Sequence, residues 1–224
     1  ANHYSVLTID ETNLKQTFAS VQSYPQVAFL DAAYTATLGG DGTLSTALDA
    51  FCHCFESYMS PRSSNLTRIL AKEGGRILWR VLSAGKFVGL SEDIRNELLY
   101  ASFLGGTVIG MTGTGFPHPL GYALTMQKGL PHGRACAAFC SEYIEYNSRN
   151  PEGRAAINDF CAALGAPPET VGALIARLSG HGIKLCDSEI TAFAESIKNA
   201  KHYINSPYVI GFEDIKDIYR KLFV

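Results

Sequence analysis

The sequence predicts a mainly helical domain with a short β segment ahead of it, and three observations carry that expectation. Apolar residues recur at helical spacing from about residue 43 almost to the C-terminus. Two short runs of β-branched and aromatic residues, bounded by turn residues, fall within the first forty positions, which read differently from the rest. The composition, 46% hydrophobic and 18% charged, is that of an ordinary globular chain, and 224 residues are enough to bury a sizeable core.

Taken in order, Tyr4-Ser5-Val6-Leu7-Thr8-Ile9 and Val27-Ala28-Phe29-Leu30 are the expected strands, separated by the turn-like Asp10-Glu11-Thr12-Asn13 and Ser23-Tyr24-Pro25. Two strands do not make a sheet that is stable in water. The β segment is therefore expected to pair with the helical body or to be the tail of a larger sheet. The first helix is expected over 43–59, where Leu44, Leu48, Phe51, Cys52, Phe55 and Met59 keep a three-four spacing and Pro61 ends it. A second covers 65–82, with Gly74-Gly75 either weakening its middle or letting another helix approach closely. Ser91-Glu92-Asp93 caps a third that runs to about 109, and 111–117 is a loop. Further helices are expected at 118–126, 134–147, 153–164, 168–179, 188–203 and 212–222, the last two opened by Asp187-Ser188-Glu189 and Gly211-Phe212-Glu213-Asp214. Gly39-Gly40-Asp41-Gly42 and Gly113-Thr114-Gly115 are expected to be turns, since neither follows a strand and opens a helix as a dinucleotide fingerprint does.

A net charge of −2, with Lys and Arg scattered, gives no footprint for nucleic acid or anionic membrane. No apolar run reaches the roughly eighteen residues of a membrane span, and the N-terminus lacks the pattern of a signal peptide. The six cysteines, at 52, 54, 136, 140, 161 and 186, form no C-x-x-C pair and lie among apolar residues. They are expected to be reduced and buried in a cytoplasmic protein.

Two segments carry chemistry. Asp49 and His53 are four apart in a helix, so both side chains share one face and are able to grip one ion. Glu56 falls near the same face, where it is able to hydrogen-bond a ligand or serve as one. His118 sits between Pro117 and Pro119, and His132 between Pro131 and Gly133, positions that limit their freedom. From spacing alone a shared metal site and four unrelated, ordinarily packed side chains both remain open.

The flanking residues go further. Leu48-Asp-Ala-Phe-Cys-His-Cys-Phe-Glu-Ser-Tyr-Met-Ser60 resembles the first metal-binding signature of the iron-dependent (group III) alcohol dehydrogenases. His118-Pro-Leu-Gly-Tyr-Ala-Leu-Thr125 with Gly129-Leu-Pro-His-Gly133 is similar to the second, in which two histidines stand fourteen residues apart, as 118 and 132 do here. Tyr4-Ser-Val-Leu-Thr8, Lys15 and Pro25-Gln-Val-Ala-Phe-Leu-Asp31 are similar to the stretch before the family's helical half. The resemblance implies the helical bundle of the dehydroquinate synthase-like/iron alcohol dehydrogenase fold over 39–224, with 1–38 as residual strands of an upstream Rossmann-like nucleotide-binding domain. It implies that Asp49, His53, His118 and His132 are the catalytic metal ligands, for Fe²⁺ or Zn²⁺. Asn2, Tyr4, Lys15, Thr37, Leu38 and Tyr122 match positions near NAD or NADP. Tyr122 stands where many members place a further histidine, and Asn205-Ser206-Pro207-Tyr208 stands where an Arg contact is common; both are departures.

The resemblance also implies an NAD(P)-dependent enzyme that interconverts small alcohols and aldehydes or ketones by metal-assisted hydride transfer, as a homo-oligomer. The chain is expected to be a C-terminal portion that binds metal but lacks activity without the cofactor domain. The alternatives are a zinc-dependent glycerol dehydrogenase or dehydroquinate synthase-like domain and a non-catalytic helical metal-binding module. The four-ligand set favours the alcohol dehydrogenase branch.

Overall fold

Helix α1 (Gly40–Met59) is buried on nearly every side from Thr43 onward, and the other elements are arranged round it. Its sequence explains this: Leu48, Phe51, Cys52, Cys54, Phe55 and Tyr58 point in several directions, and only the side that carries Asp49 and His53 stays partly open. The computed structural model describes residues 2–11, 14–180 and 182–224, and the side chains of all of these except 14–16. Among the described residues, α1 is followed by α2 (Asn65–Ala84), α3 (Glu92–Thr112), α4 (Pro117–Lys128), α5 (His132–Ala137) and α6 (Cys140–Asn147). Then come α7 (Pro151–Leu164), α8 (Pro168–Ser179), α9 (Asp187–Ile197) and α10 (Phe212–Phe223). The mainly helical class is thus observed, with one small antiparallel hairpin ahead of it, β1 (Tyr4–Ile9) and β2 (Leu14–Ala19), in register from Tyr4↔Ala19 to Ile9↔Leu14.

Helices α2, α3 and α5 pack directly on α1. The Gly74-Gly75 pair serves close approach: a Cβ on Gly74 meets Cys54 Sγ at 2.7 Å, and one on Gly75 meets Phe160 Cζ at 2.5 Å. Phe160 of α7 is fully buried among Phe51, Phe55 and Tyr58, with ring centroids 5.0–6.1 Å away. The C-terminal helix is tied back by Tyr219, whose hydroxyl donates to Leu120 O at 2.7 Å.

Four boundaries differ from expectation. The partner of β1 is Leu14–Ala19, and Val27-Ala28-Phe29-Leu30 pairs with no strand among the described residues, with Val27 67% and Phe29 92% exposed. Leu-Lys-Gln-Thr-Phe-Ala lacks a β-branched run; its strand state comes from its hairpin partner, a tertiary effect that local propensity misses. Of the turn between the two strands, Thr12 and Asn13 lie outside the described residues. The expected helix 134–147 is broken at Phe139 (φ −94, ψ 5) into α5 and α6, because apolar spacing continues through the break and conceals it. The expected helix 188–203 ends at Ile197, and Ala200 adopts an extended conformation (φ −64, ψ 124) before a 3-10 turn at Lys201–Asn205. Gly40-Asp41-Gly42 is the first turn of α1 and not a loop.

Since a Cβ at Gly75 meets a rigid buried ring, Gly75→Ala is expected to destabilise the fold by about 1–3 kcal/mol. Urea titration should lower the midpoint with an unchanged slope; an unaltered midpoint would show that α2 and α7 are free to separate.

Candidate metal centre

Three local devices hold the four candidate ligands. Asp49 and His53 lie one turn apart on α1, the most buried helix of the chain. His118 occupies the first turn of α4 between Pro117 and Pro119, where a missing backbone N–H costs little and φ is already helical. His132 opens α5 directly after Pro131. The adjacent Gly133 sets the distance between α5 and α1: a Cβ there would lie 1.8 Å from Ser45 O and 2.9 Å from Asp49 Cβ. Only glycine allows His132 to reach the Asp49 face.

The result is a convergence on one oxygen. Asp49 Oδ1 lies 3.5 Å from His53 Nε2, 3.6 Å from His118 Nε2 and 3.7 Å from His132 Nε2. These separations are too long for hydrogen bonds. Ligand atoms each about 2.1 Å from one tetrahedral zinc stand about 3.4 Å apart. Asp49 Oδ1 and His118 Nε2 are buried and have no hydrogen-bond partner among the described residues. A carboxylate and imidazoles with lone pairs aimed at a common point suit a divalent ion of the zinc or iron type.

Glu56 completes the arrangement from behind. Its carboxylate, 1% exposed, lies 2.9 Å from His118 Nδ1 and accepts a 2.7 Å hydrogen bond from the backbone N–H of Gly115. With Nδ1–H directed at Glu56, the His118 Nε2 lone pair faces Asp49, an orientation that suits metal ligation. Electrostatics follow from the same contacts. Burial pulls the His118 imidazole down, but the Glu56 charge, joined by Asp49, outweighs it and pushes His118 up to about 10. Burial raises the Asp49 carboxyl, yet His53, His118 and His132 together hold it well below the carboxylate range. Burial lowers His53. A cation entering this centre therefore meets an ionised Asp49 and displaces a proton from His118.

The ligands form part of the wall of a cavity of about 590 Å³. Asn2, Tyr4 and Tyr122 line the same cavity, so the structure brings three of the six expected cofactor positions to the ligand cluster. Asn2 is anchored there, its Nδ2 donating to Gly106 O of α3 at 2.9 Å. Tyr122 stacks on His132 with ring centroids 5.5 Å apart, and burial pushes its hydroxyl well up. Lys15 lies in β2 with its side chain outside the described residues. Thr37 and Leu38 do not line this cavity; both border a separate cleft beside Gly39 and Phe87.

Several cavity residues carry no signal in the sequence. Arg62, Lys201 and His202 line it, as does Thr17 from the hairpin. His202, in the 3-10 turn after α9, has a buried Nδ1 without a hydrogen-bond partner among the described residues, and burial with the nearby His118 lowers it to about 4. His3 and His181 match no functional position in the sequence; His3 packs between Tyr4 and Tyr24, and His181 lies outside the described residues. Of the cysteines, Cys52 and Cys54 are core residues as expected, whereas Cys186 is exposed.

Two outcomes are expected from this geometry. Zinc at a hundred times its dissociation constant should stabilise the fold by about 2.7 kcal/mol, read as a rise in Tm; an unmoved Tm contradicts the site. Glu56→Gln should weaken metal binding about 10–100-fold in a chelator competition; unchanged affinity would remove Glu56 from any orienting role.

Comparisons with known proteins show the family and the fold. A profile described as the Fe-containing alcohol dehydrogenase family, C-terminal, matches residues 43–223. Alcohol dehydrogenase 4 of Saccharomyces cerevisiae is 28% identical over 233 residues, covering 98% of this chain and 60% of its own length. A 1-propanol dehydrogenase of Citrobacter freundii is 26% identical over 200 residues, covering 88% of this chain and 54% of its own. The crystal structure of an iron-containing alcohol dehydrogenase from Thermotoga maritima superposes with a TM-score of 0.88 at 30% identity, covering 99% of this chain and 59% of that one. The chain thus spans about half the length of the curated relatives it matches. It belongs to the Fe-containing alcohol dehydrogenase family, whose C-terminal region it carries.

Proposed function

We propose that this chain is the metal-holding, substrate-facing part of a nicotinamide-dependent alcohol dehydrogenase that interconverts small alcohols and aldehydes or ketones. The observation that carries the reading is the approach of three imidazole nitrogens, at 3.5–3.7 Å, to one carboxylate oxygen that has no hydrogen-bond partner among the described residues, in the wall of a 590 Å³ cavity. In this reading 39–224 form the metal-binding domain, and 1–38, including the hairpin, belong with a nucleotide-binding domain that binds NAD or NADP. That hairpin leaves Val6, Leu7 and Phe18 46–58% exposed, which supports a further layer of structure against it.

When bound, Fe²⁺ or Zn²⁺ supplies a Lewis acid for the substrate's hydroxyl or carbonyl oxygen. Asp49, His53, His118 and His132 hold the ion, and the one carboxylate leaves the ligand set with a single negative charge. Glu56 keeps a proton on His118 Nδ1 and so keeps Nε2 available. Tyr122 stays protonated at its hydroxyl at neutral pH and acts as a hydrogen-bond donor rather than a base. A second cavity of about 640 Å³ shares Thr17, Tyr122, Lys201 and His202 with the first and is bordered by Ala123, Met126, Phe193 and Ile197. That apolar wall supports a substrate with a carbon chain. Asn2, Tyr4 and Tyr122 are proposed to face the nicotinamide; Lys15, Thr37 and Leu38 are proposed to contact the cofactor only as the upstream domain closes over them.

No helix among the described residues is long and apolar enough to cross a membrane. Together with the predominance of buried cysteines this supports a cytoplasmic setting. A homo-oligomeric assembly is proposed on the family resemblance alone.

The test joins the chain to an upstream nucleotide-binding domain and follows nicotinamide absorbance with short aliphatic alcohols and NAD or NADP. Turnover should appear, vanish on chelation and return with Fe²⁺ or Zn²⁺; Asp49→Ala should bring it to background and lose about one equivalent of metal. Absence of turnover with every alcohol and either cofactor would contradict the assignment.

A further inference from the structure

The cavity of about 590 Å³ has Asp49, His53, His118 and His132 in its wall, and none of these four borders the apolar cavity of about 640 Å³. Thr17, Tyr122, Lys201 and His202 border both, so these side chains stand between the metal side and the apolar side. Thr17 and Lys201 are exposed, whereas Tyr122 and His202 are half-buried. The Tyr122 and His202 rings meet edge to face, with centroids 6.1 Å apart and planes at 82°. That is a ring contact, too close for a methylene chain to pass between the two. Both rings are also held from behind. Tyr122 stacks on His132 at 5.5 Å. His202 lies in the 3-10 turn Lys201–Asn205, which is pinned on either side: the Tyr203 hydroxyl donates to Ile197 O at 2.8 Å, and Asn205 Nδ2 donates to Thr114 O at 3.0 Å.

We infer that His202 sets the chain length of the substrate: its ring, held against Tyr122, limits how far a carbon chain whose oxygen is at the metal centre reaches into the apolar cavity. The inference rests on the reading of the site as that of an alcohol dehydrogenase. His202 suits a wall more than a link. Its Nδ1 is buried without a hydrogen-bond partner among the described residues, so no described hydrogen bond is lost when the ring is removed. Burial, with the nearby His118, lowers it to about 4, which leaves a neutral imidazole facing the chain at neutral pH. Beyond it stand Ala123, Met126, Phe193 and Ile197, apolar surroundings for any methylenes that pass. Each methylene moved from water into such surroundings favours binding by about fourfold. The ligand class is therefore the unbranched primary alcohol or its aldehyde, cut off in length by one side chain.

The test uses the enzyme in which this chain is joined to an upstream nucleotide-binding domain, and compares kcat/KM over unbranched primary alcohols from ethanol to 1-octanol. In the unsubstituted protein kcat/KM should pass through a maximum at a short chain and then fall. His202→Ala should move the maximum to a longer chain and raise kcat/KM for 1-octanol relative to ethanol by about tenfold or more. His202→Trp, with a larger ring, should lower the same ratio. Because the readout is a ratio within one protein, a variant that is merely destabilised loses activity toward all alcohols alike and leaves the ratio where it was. A ratio unchanged in His202→Ala overturns the inference. So does an unsubstituted protein whose kcat/KM keeps rising through 1-octanol, a result that needs no variant to fold. Both results leave the dehydrogenase reading standing. No turnover of any alcohol overturns that reading and the role of His202 with it.

Discussion

The Asp49 carboxylate and the three imidazoles facing it cannot satisfy one another. Each is drawn toward a shared point, yet the 3.5–3.7 Å separations leave Asp49 Oδ1 and His118 Nε2 without hydrogen bonds among the described residues. Buried polar atoms in that state are expensive unless something else fills the point between them. A divalent cation would do so with the donors already present. The same negative charge of Glu56 and Asp49 that would attract a cation pushes His118 up to about 10 despite its burial.

Much of the surrounding fold serves to keep those donors in place. Helix α1 is packed on most sides by buried apolar residues, which makes it a rigid mount for the Asp49 and His53 that it turns toward the cavity. Gly105 lets α3 come close beside His53, since a Cβ there would lie 3.1 Å from Ala50 O, and Gly133 does the same for α5 beside Asp49. The prolines at 117, 119 and 131 reduce the freedom of the two histidines that arrive from outside α1. Glu56, held by the Gly115 amide, sets the orientation of His118. The site is therefore preorganised by backbone contacts more than by hydrogen bonds between ligands.

The features legible in the sequence were local ones. The three-four apolar spacing located α1, α2, α3, α7, α8 and α10 within a few residues, and i,i+4 geometry placed Asp49 beside His53. The meeting of His118 and His132 with that pair depends on α4 and α5 crossing α1, which spacing alone does not determine; the flanking signatures supplied it. The rest was hidden for physical reasons. Strand β2 exists because β1 pairs with it, not because of its own residues. His202 reaches the cavity through a 3-10 turn that an unbroken helix 188–203 would have carried elsewhere. Thr37 and Leu38 border a cleft of their own, apart from the cavity that the candidate ligands line, and nothing in their local sequence separates the two.

Whether Asp49, His53, His118 and His132 hold one ion is tested most directly by anomalous diffraction from crystals grown with zinc, collected on both sides of the zinc edge. The expected result is one strong peak about 2.0–2.2 Å from Asp49 Oδ1 and from the Nε2 atoms of the ligating histidines, with Glu56 still on His118 Nδ1. A zinc-saturated crystal with no peak at this point, or with its only peaks on surface carboxylates and histidines, would contradict it.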